Sequence, residues 1–328
     1  MRRVLAKPFA LAIHGGAGAL PADRVPVERI DEMRRDLGRA LDEGTAVLAR
    51  GGAALDAVVA AVRVLEDSRV FNAARGAVLR QDGSARLDAS VMSGRERRAG
   101  AVCLVRAAKN PVQLARAVLE RGREVLLAGD DADRFALEQG LETCPPEYFV
   151  TDYRREQLER ANARDEVALD HDLAGAVRAH ERDEGQTVGA VALDSDGHLA
   201  AATSTGGMTN AAPGRVGDSP IIGAGTWACD DTCAVSATGS GEYFIRAAFA
   251  HEVHARLAWG AAELEQAARD TLDLVVSLGG RGGCVCIDRA GRVATPFTTS
   301  AMPRAYHTLA GERHVYVLEP LGVAAART

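Results

Sequence analysis

GQTVGAVALD, residues 185–194, is where a crowded run of charges gives way to a dense apolar segment. The turn Asp194-Ser195-Asp196-Gly197 follows, and a second apolar run, HLAAATST, covers residues 198–205. Two apolar runs about an Asp/Gly turn predict a β-hairpin. Neither run alternates cleanly between polar and apolar residues, so both faces are expected to be buried, as in a sheet covered on both sides. Thr187 opens the first strand. If the bond after Gln186 were cut, Thr187 would carry a hydroxyl nucleophile and a free α-amine on one residue. Such an amine titrates near ~7.7–8.0, which suits a base acting on its own hydroxyl. The plain alternative is an ordinary first residue of an internal strand.

The 328 residues suffice for one large domain or two ordinary ones. With 47% hydrophobic and 26% charged residues, the chain reads as a soluble globular protein. A net charge of −6 argues against a general nucleic-acid surface, which needs a basic face. Six cysteines (103, 144, 229, 233, 284 and 286) form no disulfide-dense framework, and the spacing of the last four is loose for a zinc site. The basic start is interrupted by Lys7 and Pro8 without an adequate apolar region after it, and no run reaches transmembrane length. A cytoplasmic setting without membrane or nucleic-acid partners is therefore expected.

Along the chain, residues 11–14 read as a strand running into the glycine loop HGGAG, which lacks the third glycine of a dinucleotide fingerprint. Helices are expected over 27–50 and 53–66, separated by Gly51-Gly52. A hairpin is expected from 77–80 and 85–92, and a strand over 100–107. Further helices are placed at 110–120, 131–139 and 152–161. Residues 163–184 are so rich in charge that they read as a mobile linker. Beyond the central hairpin, strands are expected at 221–227, 232–238, 284–288 and 293–298, with helices at 241–254 and 261–277. This order suggests two sheets packed together with helices outside, not a strictly alternating βαβ chain.

Four clusters in the second half could do chemistry: Thr187 itself, the hydroxyls of TSTGGMTN at 203–210, PGRVGDSP at 213–220, and ATGSGE at 237–242. In the third, Arg215 could fork the carboxylate of a free α-amino acid while Asp218 holds its ammonium. A loop ion pair between the two is the competing account. In the fourth, the Thr238 hydroxyl and Gly239 N–H could face a developing oxyanion, or simply cap a helix. His251 and His254 miss the HExxH spacing by one and are read as sitting on a solvated helix face.

Taken together, HGGAG, LDASVM at 87–92, TVGAVALD at 187–194, ATSTGGMTN at 202–210, PGRVGDSP and TGSGE closely resemble the plant-type asparaginase/isoaspartyl peptidase family of N-terminal-nucleophile hydrolases. The resemblance covers nearly the whole chain. It implies an α/β fold, a single four-layer αββα sandwich over 1–328. It also implies self-cleavage between Gln186 and Thr187 into α (1–186) and β (187–328) subunits, usually paired as an (αβ)2 homodimer. Carried over by motif, Thr187 is the nucleophile, Thr205 supports it, and Thr238 and Gly239 form the oxyanion hole. Arg215, Asp218, Gly241 and Asn72 are substrate-binding positions. No cofactor and no catalytic metal is implied. The loop of residues 65–75, from Leu65 to Arg75, matches one that holds structural sodium (Na+) through backbone carbonyls. The implied reaction is hydrolysis of asparagine or β-aspartyl dipeptides to aspartate plus ammonia or an amino acid. Two departures stand out: Gln186 replaces the family's usual Gly or Asp, and Phe297-Thr298-Thr299 replaces Phe-Asn-Thr. A glycosylasparaginase-type hydrolase, or an uncleaved amino-acid-binding scaffold, are the alternatives.

Overall fold

A computed structural model describes residues 8–18, 25–163 and 187–319. The expected linker, apart from Ala163, and Gln186 lie outside the described residues. Strand β1 (Ala10–His14) leads to helices α1 (Val27–Ala49) and α2 (Ala54–Glu66), then to strands β2 (Leu87–Ser93) and β3 (Ala99–Val105). Helix α3 (Pro111–Arg121), strand β4 (Leu126–Ala128) and helices α4 (Gly129–Glu138) and α5 (Asp152–Asn162) complete the first half. The second half holds β5 (Val188–Leu193), β6 (Leu199–Thr205), β7 (Thr226–Ala228) and β8 (Cys233–Gly239). Helices α6 (Gly241–Arg246), α7 (Phe249–Ala258) and α8 (Leu264–Ser277) follow, and β9 (Gly282–Asp288), β10 (Val293–Ala294), β11 (Arg304–His307) and β12 (Arg313–Tyr316) come last.

These strands form an eight-stranded sheet, ordered β12-β11-β1-β5-β6-β2-β3-β4, and a four-stranded sheet, β10-β9-β8-β7. The two-residue period of a strand sorts side chains between layers. Leu11, Ile13, Val188, Ala190, Ala200 and Ala202 face the core built with α1 to α5. Their neighbours Ala10, Ala12, Val191, Leu193, Leu199 and Ala201 meet Ala234, Val285 and Ile287 between the sheets. On the far side of the small sheet, Val235, Ala237, Cys284 and Cys286 pack against α6 to α8. The result is the expected αββα sandwich. The central hairpin lacks polar alternation because each of its faces lies against a covered layer. Burying one Val or Leu side chain in such a layer stabilises the fold by about 1.5–3 kcal/mol.

The predicted hairpin forms in antiparallel register, Val188 opposite Ser204 and Leu193 opposite Leu199. Its turn also anchors a helix: Asp194 Oδ2 accepts the Ala54 N–H at 2.9 Å, placing a carboxylate on the positive end of α2. At the other end of α2, Glu66 Oε1 accepts the N–H of Val112 in α3 and the hydroxyl of Ser204 in β6. Burial raises the Glu66 carboxyl to about 8 against those hydrogen bonds, so it is largely protonated at neutral pH.

Several expected elements give way to hydrogen bonds from outside the local segment. Residues 77–80 form no strand: Asn72 Oδ1 takes the Val78 N–H, Leu79 O accepts from Asn210 N, and Gln81 N donates to Ala211 O. Residues 221–225 are a turn, so only Thr226–Ala228 is strand. The single helix expected over 241–254 breaks into α6 and α7 at Ala248, whose φ is 46°. There the N–H groups of Ala250 and His251 donate to Ala224 and Gly223 carbonyls instead of to their own helix. Pro296, which has no N–H to give, limits β10 to two residues. His254 is buried, 2.6 Å from the Thr232 hydroxyl and tilted against Trp227, not solvated as its sequence context suggested. The cysteines are free thiols.

Candidate active site

Thr187 immediately precedes β5, and the antiparallel register brings it beside Thr205 at the end of β6. Their hydroxyl oxygens lie 3.1 Å apart. Thr205 Oγ1 also accepts the Gly207 N–H at 3.1 Å, which fixes the second hydroxyl in the tight turn that follows β6. Thr187 is half-buried, whereas Thr205 is buried.

The turn is braced by Asn72. Its Nδ2 donates to Gly207 O at 2.7 Å, and its backbone carbonyl accepts the Gly206 N–H. These bonds place Asn72 behind the hydroxyl pair as a brace on the 205–207 turn.

Behind Thr187 the two sheets approach closely because Gly189 has no side chain. A Cβ there would collide with Ser236 Oγ and lie 2.5 Å from His14 Nε2. Through this gap His14 Nε2 meets Ser236 Oγ at 2.9 Å, and Ser236 Oγ meets Thr203 Oγ1 at 2.7 Å. Thr226 Oγ1 continues the seam 2.6 Å from Thr203, and Ser90 Oγ lies 2.7 Å from Thr226 while donating to Ser219 O. This buried chain of hydroxyls ties His14, which lies opposite Gly189 of β5, to the loop that carries Asp218. Burial drives the His14 ring down to about 3, only partly opposed by the backbone of Thr187, so it stays neutral and adds no charge beside Thr187.

On the small sheet, Thr238 and Gly239 end β8. Thr238 Oγ1 accepts the Ala17 N–H at 3.2 Å, drawing the HGGAG loop onto the site. A hydroxyl that accepts from the backbone keeps its own proton to donate. Thr298 caps this region from behind: its N–H donates to Gly282 O and its hydroxyl accepts the Gly282 N–H, and Gly282 is the residue opposite Gly239. The departure at Thr298 therefore supports Gly239 from the neighbouring strand.

Arg215 and Asp218 do not form the simple loop ion pair. Arg215 is instead gripped by Glu242, Nε to Oε1 at 2.9 Å and Nη2 to Oε2 at 3.1 Å. Burial works to raise Glu242, and this pairing outweighs it, leaving the carboxyl below its ordinary value. Asp218 is buried, and its Oδ2 has no partner among the described residues. Burial raises its carboxyl to about 7, with Arg215 pulling the other way. Gly241 marks where the two head groups converge: a Cβ on it would stand 2.9 Å from Asp218 Oδ1 and 3.0 Å from Arg215 Nη2. Gly207 connects this pocket to the hydroxyl pair, since its missing Cβ would lie 3.6 Å from Arg215 Nη1. A buried carboxyl and a guanidinium thus converge at Gly241, and Gly207 lies between that guanidinium and the paired hydroxyls.

Glu242, His14, Asp88 and Arg80 received no role from the sequence, although the first three fall inside quoted motifs. Asp88 lies opposite Thr205 and accepts the Leu104 N–H at 2.7 Å; burial raises it to about 6. Among the described residues, no group of three or more His, Cys, Asp or Glu is placed to hold a metal ion, and no helix is long and apolar enough to cross a membrane.

Residues 7–317 match a family described as asparaginase. The isoaspartyl peptidase of Escherichia coli K12 is 46% identical over 297 residues, covering 90% of this chain and 92% of its own. That of Salmonella typhimurium is also 46% identical, covering 90% and 94%. The isoaspartyl peptidase/L-asparaginase of Bos taurus is 39% identical over 296 residues, covering 90% and 92%.

Asp218 must be ionised to pair with an ammonium group, so amino-acid affinity should fall as pH drops below about 7. Calorimetric titration with L-aspartate should show the dissociation constant rising about tenfold per pH unit once Asp218 is mostly protonated. The Asp218→Asn variant should bind weakly and without that slope. An affinity constant from pH 5.5 to 8.5 in the unmodified protein would contradict the assignment.

Proposed function

The chain belongs to the asparaginase family, and on that premise we propose that it is an isoaspartyl peptidase and L-asparaginase whose nucleophile is Thr187, freed by scission after Gln186. The observation that carries this reading is the 3.1 Å contact between the Thr187 and Thr205 hydroxyls beside the Arg215/Asp218 pocket.

The substrate's α-carboxylate docks on Arg215 Nη1, the guanidinium nitrogen outside the Glu242 clamp, and its α-ammonium pairs with Asp218. These contacts hold the side-chain carbonyl over Thr187 and supply orientation. Thr187 Oγ attacks that carbon while the Thr187 α-amine takes the proton. The oxyanion receives hydrogen bonds from the Thr238 hydroxyl and the Gly239 N–H. Collapse breaks the C–N bond, and the amine returns its proton to the departing ammonia or amino acid. Water, deprotonated by the same amine, then cleaves the aspartyl ester and restores the threonine. Thr205 steadies the nucleophile and exchanges hydrogen bonds with it as charge moves. The matured protein is read as a homodimer of cleaved units in the cytoplasm, which should sediment at twice the chain mass.

Sodium held by backbone carbonyls of the 65–75 loop is part of the same proposal. The loop curls over Gly76, where a Cβ would collide with Phe71 O and lie 2.9 Å from Arg69 O. The Phe71 and Arg69 carbonyls thus lie close against Gly76, and backbone oxygens of this kind are what a hard cation takes as ligands. The ion would order the segment carrying Asn72 and takes no part in the chemistry. Replacing sodium by choline at constant ionic strength should lower the thermal midpoint by a few degrees. An unchanged midpoint would remove sodium from the account.

Purified protein should release ammonia from asparagine and leucine from β-aspartyl-leucine. Thr187→Ala should abolish both activities, and Thr205→Ala should lower kcat by about 10²–10³-fold, the range for loss of one transition-state contact. Full activity in the Thr187→Ala variant would overturn the assignment.

A further inference from the structure

One buried cation near the pocket has no role in the steps above. Arg80 is only 1% exposed, yet its Nε and Nη2 have no protein partner among the described residues. Enclosing a cation so incompletely paired costs stability, which calls for a compensating use. The charged groups acting on it are Asp88, Arg215, Arg86 and Asp82; burial and the two arginines disfavour its charge, and the two aspartates favour it.

The bonds that Arg80 does make are specific. Its Nη1 donates to Arg215 O at 2.7 Å and reaches Ala212 O at 3.4 Å. Its Nη2 points to the same side of Gly207 as Arg215 Nη1, each 3.6 Å from where a Cβ would sit. Arg80 itself is fixed at a turn, its N–H donating to Ser84 O, and the adjacent residues Leu79 and Gln81 bond to Asn210 and Ala211. The segment it reaches, Pro213-Gly214-Arg215-Val216-Gly217, has a glycine on either side of Arg215 and little backbone stiffness of its own.

We propose that Arg80 is a positioning residue for recognition of the substrate's α-carboxylate, holding the backbone of Arg215 while Glu242 holds its guanidinium. The two contacts grip Arg215 at both ends and leave Nη1 aimed into the pocket. The proposal rests on the reading of Arg215 as the carboxylate holder. Asp218 does not share this dependence. Its carbonyl accepts the N–H groups of Ile221 and Gly225, and Gly217 separates it from Arg215. Loss of Arg80 should therefore weaken the grip on carboxylate and spare the grip on ammonium, a split that general loosening of the fold would not produce.

The test measures competitive inhibition of β-aspartyl-leucine hydrolysis by three ligands in the matured protein. L-Aspartate carries both α-groups, succinate lacks the ammonium, and β-alanine lacks the α-carboxylate. In Arg80→Met, the inhibition constants for L-aspartate and succinate should rise about tenfold, the worth of one hydrogen bond made by a charged group. The β-alanine constant and kcat should stay within about twofold. Arg80→Lys, which keeps the charge and one donor for Arg215 O, should recover most of the loss. If Arg80→Met does not fold, Arg80→Gln, which also keeps a donor, carries the same comparison at smaller amplitude. A parallel rise for all three ligands, or no rise for any, overturns the proposal. Arg215→Met measured alongside separates the two layers: if it too leaves succinate and L-aspartate unaffected, the carboxylate assignment itself has failed. If it shifts them and the Arg80 variants do not, only the role of Arg80 falls.

Discussion

Two hydroxyl oxygens 3.1 Å apart, at the ends of neighbouring antiparallel strands, are the contact from which the site is built. Strand register sets that distance, and register here cannot slip. Moving β5 by one residue would turn Val188, Ala190 and Ala192 away from the helical layer and push Val191 and Leu193 into it. Asp194, tied to α2, fixes the same register from the turn end. A hairpin whose two strands are buried therefore holds Thr187 more firmly than a surface loop would.

The surroundings of that contact are unusually charged for their depth. Asp218 and Asp88 are buried carboxyls raised toward neutrality, while Arg80 is held below its ordinary value by the same burial. In a low-dielectric pocket each of these groups gains when an opposite charge arrives. The zwitterionic substrate proposed above would bring both signs at once. His14 is a counterexample that fits the same logic: kept neutral by burial, it joins the hydroxyl seam through Ser236 and adds no charge beside Thr187.

The sequence disclosed the central hairpin, most helices and the sandwich because periodicity and the Asp/Gly turn are local signals. It failed where partners come from far along the chain. Residues 77–80 looked like a strand, but their backbone groups are taken by Asn72, Asn210 and Ala211. Helix 241–254 looked continuous, but the 223–224 turn captures two of its N–H groups. The short strands β4, β11 and β12 carry too few residues to show a period. In the site, motif membership pointed to Thr187 and Thr205, whose hydroxyls meet, and to Arg215 and Asp218, which converge at Gly241. It did not show that Arg215 pairs with Glu242 or that Arg80 lies behind it, since these contacts join residues 27 and 135 positions apart.

In the proposed reaction Thr187 can act only with a free α-amine. The most direct measurement is the intact mass and N-terminal sequence of purified, active protein under denaturing conditions. The account predicts two polypeptides, the smaller beginning at Thr187. A single unbroken chain that hydrolyses β-aspartyl-leucine would contradict it.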